Sequence, residues 1–120
     1  MTAVLETRAQ TARTATARRY LMCPPDHFEV SYAINPWMDL TRPVDRALAT
    51  AQWEQLRRTY ESLGHRVDVI AALPGLPDMV FAANGGLVVE GRAHGARFTH
   101  PERQAEGPAY LRWLAGADHA

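Results

Sequence analysis

Two residues of this 120-residue sequence, Asp78 and Asn84, have surroundings that suit the binding of a small polar ligand. Asp78 directly precedes the apolar run 79–82, and Asn84 lies just beyond that run, before two glycines. An acid at the start of a strand, followed by an amide at a glycine turn, suits a ligand site at a strand end. A plain hairpin explains the same residues, because Pro-Asp and Asn-Gly are common turn sequences. Spacing alone leaves both interpretations open.

Cysteine and histidine offer little further chemistry. Cys23 is the single cysteine, so the sequence holds no disulfide pair and no Cys-x-x-Cys motif. It closes a short apolar run before Pro24, which predicts a buried, unreactive thiol. The five histidines form no His-x-His, His-Glu-x-x-His or Cys–His cluster, so we expect no metal site. His27 lies beside acids and could act as a base, but a solvated loop histidine is the simpler interpretation.

Composition excludes several classes of function. The 13 basic residues equal the 13 acidic ones, which gives no net attraction to nucleic acid or to a membrane surface. All the basic residues are arginine, so lysine Schiff bases and a P-loop lysine are excluded. The sequence contains no apolar run of about 18 residues, the length that spans a bilayer. We therefore expect one soluble domain, most simply cytoplasmic.

Hydrophobic periodicity predicts an α+β chain in the order strand, loop, helix, four strands, helix. An apolar stripe from Ala49 to Leu63 predicts a helix over about 44–63, entered at Thr41–Pro43 and ended by Gly64. A second helix should open at His100–Pro101. Its expected buried face is Tyr110, Leu111 and Leu114.

The strands should be short. One is expected near residues 20–23, and four follow the first helix, near 66–71, 79–82, 87–89 and 96–98. Glycine turns at 84–86 and 91–95 predict two hairpin reversals within this stretch. Residues 1–17, rich in Thr and Ala, predict a flexible leader ahead of a domain that starts at residue 18.

Three strings together carry a family resemblance: residues 31–38 (Ser-Tyr-Ala-Ile-Asn-Pro-Trp-Met), 76–88 (Leu-Pro-Asp-Met-Val-Phe-Ala-Ala-Asn-Gly-Gly-Leu-Val) and 100–106 (His-Pro-Glu-Arg-Gln-Ala-Glu). With these strings in order, residues 18 to about 115 resemble the first part of the amidinotransferase superfamily. The most similar members are dimethylargininase (dimethylarginine dimethylaminohydrolase)-like proteins, whose pentein fold is a ring of five ββαβ modules. The resemblance implies an α+β, pentein-like N-terminal portion over 18–120, about two of five modules, with the ring not closed.

The resemblance also implies three substrate-binding residues. Asp78 matches the aspartate of the Leu-Pro-Asp-x-Val-Phe motif, which helps to hold the polar groups of the substrate. Asn84 stands where dimethylargininases usually carry an acid that pairs with the guanidinium, and an amide accepts a hydrogen bond without charge. Arg103 matches the arginine that binds the substrate carboxylate. Because Asn84 and Ala83 both replace family acids, the identity of the guanidino compound stays open.

In that family a cysteine thiolate attacks the guanidinium carbon while a histidine moves protons, and the reaction needs no metal and no organic cofactor. The resemblance puts both residues in later modules, so we expect no catalytic residue here and do not assign Cys23 as the nucleophile. The expected role is the N-terminal part of a hydrolase that converts an arginine-type guanidinium to citrulline plus an amine. We expect the isolated chain to be inactive.

Alternatives remain open at this stage. The chain could be a non-catalytic module, derived from the same family, that binds an arginine analogue or another protein. It could also come from the amidinotransferase or arginine deiminase branches. The expected partner is an arginine-like small molecule, and unpaired strand edges would favour self-association or pairing with a complementary chain.

Overall fold

The first unit of the fold is a strand, a long connection, a helix and a second strand. The computed structural model describes residues 12–117. β1 (Arg19–Met22) and β2 (Arg66–Val69) pair in parallel, with Met22 opposite Val69. Parallel strands require a crossover, which α1 (Arg46–Ser62) supplies. The expected helix and the two expected strands on either side of it are confirmed.

Helix α1 begins and ends where local chemistry directs. The Asp45 side chain accepts a hydrogen bond from the Leu48 backbone N–H at 3.0 Å, so the N-cap lies later than the expected entry at Thr41–Pro43. Gly64 adopts φ +87° just after the helix, as expected for a terminating glycine. The apolar stripe is only half covered, since Leu56 is 47 % and Leu63 is 65 % exposed.

Local contacts supplement that partial burial of α1. The ring of Tyr60 stacks on Tyr20 of β1 with centroids 4.5 Å apart. Arg57 bonds to Glu54 at 2.8 Å and to Glu61 at 3.2 Å along the outer surface of the helix. Exposed pairs of this kind contribute little to stability, because water screens the charges. The helix is therefore held by its ends and by one aromatic contact more than by a core.

The expected strand over 79–82 is wrong. Pro77–Val80 and Ala82–Asn84 form two successive 3₁₀ turns, closed by bonds such as Phe81 N–H to the Asp78 carbonyl at 3.0 Å. Pro77 occupies the first position, where its fixed φ suits a turn. The Met79 carbonyl accepts a hydrogen bond from the Tyr110 hydroxyl, so this buried acceptor is satisfied without a neighbouring strand. Asp78 therefore lies in a 3₁₀ turn and not at the start of a strand, so the expected placement of the ligand site at the end of that strand is wrong.

A single antiparallel hairpin follows. β3 (Gly86–Val89) pairs with β4 (Arg92–Gly95), which confirms the strand near 87–89 and the local antiparallel pairing. The strand expected at 96–98 and the turn expected over 91–95 are wrong. Glu90 and Gly91 both have positive φ, 50° and 76°, and make a two-residue connection. Pairing resumes at once, so β4 covers the residues where the sequence predicted a turn.

The C-terminal part is helical with one break. α2 (Pro101–Gln104) begins with proline at its first position, as expected, and α3 (Glu106–Gly116) starts anew after Ala105. Tyr110 is buried at 1 % exposure and Leu114 is half-buried, which confirms these two residues of the expected face. Leu111 is 39 % exposed, so its assignment to that face is wrong.

The core is small and lies where the ends of β1 and β2 meet the first 3₁₀ turn and α3. It consists of Cys23, Ile70, Met79 and Tyr110, with Trp113 packed against it. The described helices include none that is long and apolar enough to cross a membrane. The expected leader falls mostly outside residues 12–117, and its described part, 12–17, is exposed and carries no helix or strand.

Close packing around α3 generates a stability prediction. A Cβ added at Gly107 would clash with the Ala96 carbonyl oxygen, whereas one added at Gly116 meets nothing within 4 Å. We expect Gly107→Ala to lower the free energy of unfolding by about 1–3 kcal/mol through overpacking. Gly116→Ala, in the same helix, should leave it unchanged or raise it by up to about 1 kcal/mol. Urea denaturation of both variants measures this, and equal effects would contradict the packing described here.

Candidate functional site

The site is organised around the guanidinium of Arg103 in α2. Its Nε donates to Glu106 Oε2 and its Nη2 to Glu106 Oε1, both at 2.9 Å. The Arg103 side chain is 11 % exposed and that of Glu106 is fully buried. Burial lowers the pKa of Arg103, but the two bonds to Glu106 outweigh it, so the net shift is upward. This two-point ion pair fixes the orientation of the guanidinium plane.

Arg103 also joins the other two predicted site residues. Its Nη1 donates to Asn84 Oδ1 at 3.3 Å, and its Nη2 donates to the backbone carbonyl of Asp78 at 3.2 Å. The guanidinium carbon lies 4.3 Å from the centroid of the Phe98 ring, a cation–π contact. Residues 19 and 25 positions apart in sequence therefore converge. All three residues named from the sequence lie in one cluster.

The Asp78 carboxylate has its own partner. Asp78 is 5 % exposed, and its Oδ2 accepts a hydrogen bond from the Tyr32 hydroxyl at 2.6 Å. Burial, followed by the bond to Asp78, raises the pKa of Tyr32 far above its usual value. Tyr32 therefore stays protonated at neutral pH and remains a donor to Asp78.

The charge of the cluster favours a cation. The formal charges of Asp78, Glu106 and Arg103 sum to −1, and Glu106 is already paired with Arg103. The Asp78 carboxylate makes no salt bridge among residues 12–117, although the Arg103 guanidinium lies close enough to attract it, and its side-chain donor is the Tyr32 hydroxyl. A cationic group next to such a carboxylate gains charge-assisted hydrogen bonds. Asn84, which is exposed, adds an amide oxygen that already accepts from a guanidinium.

Sequence reasoning missed three members of this cluster: Tyr32, Phe98 and Glu106. Glu106 lies three residues after Arg103, a helical spacing that pairs opposite charges, and this signal was available. Tyr32 is 46 residues from Asp78 in a connection without regular structure. Nothing in the local sequence around Tyr32 indicates that contact.

Cys23 has the character that the sequence predicts. It is fully buried, and its Sγ–H points to the Pro24 carbonyl oxygen at 3.7 Å. Burial raises the pKa of the Cys23 thiol from its ordinary 9.0 to about 11. The thiol is therefore protonated at neutral pH and shielded from solvent. Among residues 12–117, no three His, Cys, Asp or Glu side chains lie together as metal ligands would.

Known proteins share this sequence and fold. The chain is 53 % identical over 107 residues to the N(G),N(G)-dimethylarginine dimethylaminohydrolase of Mycobacterium tuberculosis, covering 89 % of this chain and 35 % of that protein. It spans about a third of that relative's length. No protein-family model matches the chain.

Solved structures of two cyanobacterial enzymes superpose on it. One is a cysteine-to-alanine variant of AgrE, a bifunctional arginine dihydrolase/ornithine cyclodeaminase of Nostoc sp., in complex with L-arginine. That match has a TM-score of 0.75 and 41 % identity over 84 % of this chain and 15 % of AgrE. The other is the product-bound N-terminal domain of the arginine dihydrolase ArgZ of Synechocystis sp., with a TM-score of 0.72 and 42 % identity over 80 % of this chain and 35 % of that domain.

The buried thiol generates a reactivity prediction. With a pKa of about 11 in place of 9.0, the thiolate fraction of Cys23 at about pH 8 is roughly a hundredfold below that of an ordinary thiol. We expect iodoacetamide to alkylate the folded chain slowly, with a rate that climbs about tenfold per pH unit toward pH 11. The same chain in guanidinium chloride is the control and should react at the ordinary rate. Fast labelling of the folded chain at neutral pH would contradict the burial of Cys23.

Proposed function

We propose that this chain forms the substrate-binding side of a guanidine hydrolase. The premise is that it belongs to the dimethylargininase-like amidinotransferase superfamily and spans its N-terminal portion. In this proposal Asp78 binds the guanidinium group of the substrate and Asn84 accepts a hydrogen bond from one of its N–H groups. Arg103 binds the carboxylate of the substrate. The substrate class is an arginine-type guanidino compound. Residues 18–120 make up about two of the five modules of a pentein ring.

One observation carries the proposal: the convergence of Asp78, Asn84 and Arg103 on a cluster whose formal charge is −1. An anionic, largely buried carboxylate beside an exposed amide oxygen suits a planar cation with several N–H donors. Arginine-type compounds carry such a cation at one end and a carboxylate at the other. The nearby Arg103 suits the second end.

The reaction assigned to the family needs a thiolate that attacks the guanidinium carbon, expels an amine and leaves a covalent adduct for water to hydrolyse. Cys23 cannot supply that thiolate, since it is fully buried and protonated at neutral pH. In this proposal the residues of this chain bind and orient the guanidinium, and the family resemblance implies that the nucleophile and the proton-transferring histidine lie in later modules of the family domain.

A second candidate is a non-catalytic interaction module, and a specific observation favours it. Leu87 and Val89 on β3 are 56 % and 47 % exposed, and each described sheet has only two strands. Exposed apolar strands with unpaired edges accept further strands. A partner chain, or a second copy, would then cover β3.

The binding proposal predicts stabilisation by ligand. L-Arginine at about ten times its Kd should raise the free energy of unfolding by about 1.4 kcal/mol, which is several degrees in Tm. Asn84→Ala should remove this gain while leaving the ligand-free Tm unchanged within about 1 °C, because Asn84 is exposed. Gln52→Ala, an exposed amide in α1, is the matched control and should keep the gain.

Differential scanning fluorimetry across L-arginine, methylated arginines and citrulline measures these shifts. If no guanidino compound raises the Tm, the chain does not bind the proposed class alone. If Asn84→Ala keeps the shift as Gln52→Ala does, the binding site lies elsewhere.

The same proposal predicts no turnover by the 120-residue chain. Incubation with L-arginine or dimethylarginine should release neither citrulline nor an amine above the rate without protein, because no reactive thiolate is present. A colorimetric citrulline assay with Cys23→Ala alongside the wild type measures this. Citrulline production that disappears in Cys23→Ala would overturn the assignment of Cys23 as a structural thiol.

A further inference from the structure

Of the charged side chains in the site, that of Glu106 is the most completely buried. It is the first residue of α3, its exposure is 0 %, and both of its carboxylate oxygens accept from Arg103. Arg103 lies in α2, on the other side of the break at Ala105. The pair therefore connects two helices as well as two charges.

Stability alone does not account for this pair. Removing two charges from water costs several kcal/mol per ion, and apolar residues of similar volume often replace a buried pair at no loss. Tyr110 of the apolar core lies one turn further along α3. What a two-point pair supplies, and apolar packing does not, is a fixed orientation of one guanidinium.

A count of donors shows what that orientation leaves available. A guanidinium has five N–H bonds. Glu106 takes one from Nε and one from Nη2, the Asp78 carbonyl takes the second from Nη2, and Asn84 takes one from Nη1. One Nη1 hydrogen is left by these four bonds. Nη1 also makes the longest of them, 3.3 Å, to an exposed side chain.

We propose that Glu106 is a positioning residue. Its hydrogen bonds from Nε and Nη2 of Arg103 leave Nη1 as the nitrogen that binds the carboxylate of an amino-acid ligand. This inference rests on the proposed function. The hydrogen bond from Nη1 to Asn84 breaks when the ligand carboxylate binds, because it is the longest of the four bonds and its acceptor is exposed. Recognition of the carboxylate is then a contact to a single nitrogen, not to the two-nitrogen edge that arginine commonly offers.

The test compares two ligands that share a guanidinium and differ in the carboxylate, L-arginine and agmatine. Glu106→Asp keeps the charge next to Arg103 but shortens the side chain by one methylene, so it cannot hold both nitrogens as before. Glu106→Gln, which removes the charge and has a greater chance of unfolding, is the second variant. Glu102→Asp, the same change at an exposed residue of α2, is the matched control.

In calorimetric titrations we expect the wild type and Glu102→Asp to bind L-arginine about tenfold more tightly than agmatine. Glu106→Asp should lose most of that preference while its Kd for agmatine stays within about twofold. A structural role for Glu106 would instead weaken both ligands equally, and an unchanged preference would show that Glu106 does not matter. Either result overturns the inference.

A second readout needs no ligand. The Arg103 Nε–H should give a slowly exchanging ¹⁵N–¹H cross-peak in the wild type, identified by its loss in Arg103→Lys, and that peak should broaden or vanish in Glu106→Asp. If the wild type binds neither ligand, the proposed function fails and the ligand half of this inference fails with it. A protected cross-peak that persists in Glu106→Asp would overturn the positioning role of Glu106, whatever the binding result.

Discussion

The geometry of the candidate site depends on the packing of the Tyr110 side chain. Its ring is buried in the core, and its hydroxyl donates to the carbonyl of Met79 in the first 3₁₀ turn. The same ring leaves no space for a Cβ at Gly85, directly after the second 3₁₀ turn. Asp78 precedes Met79 and Asn84 precedes Gly85, so one aromatic residue of α3 fixes the backbone beside both.

A second constraint acts from the same helix. Glu106 begins α3 and holds Arg103, so the helix that places Tyr110 in the core also places a cation beside Asp78 and Asn84. Gly107 allows the close approach that this requires, since its backbone lies against Ala96. The site is therefore assembled on one face of α3, although the residues named from the sequence lie outside that helix. Shared anchoring of this kind favours fixed geometry in a chain with a small core.

The sequence predicted the conformations that depend on neighbouring residues, and it failed where a conformation depends on residues far away along the chain. The stripe of α1, the glycine after it and the proline that opens α2 act within a few residues of themselves, and all three were confirmed. The run 79–82 was misassigned because its conformation depends on Tyr110, about 30 residues away. The turn at Glu90–Gly91 was expected too late, over 91–95, because glutamate seldom adopts positive φ and gives no turn signal. For the site, motif resemblance named three residues that do converge, and one of its strings includes Tyr32, but the contact of Tyr32 with Asp78 appears only in the structure.

The half-exposed helix α1 has a consequence for how the chain unfolds. Its residues all keep partial or full exposure, and its own caps and ion pairs supply much of what holds it. Segments with few buried contacts open locally at low free energy, without waiting for the whole molecule. Amide hydrogens of α1 should therefore exchange with deuterium well before those near Tyr110 in α3. Opening of α1 would then leave the part of the chain that carries the candidate site folded.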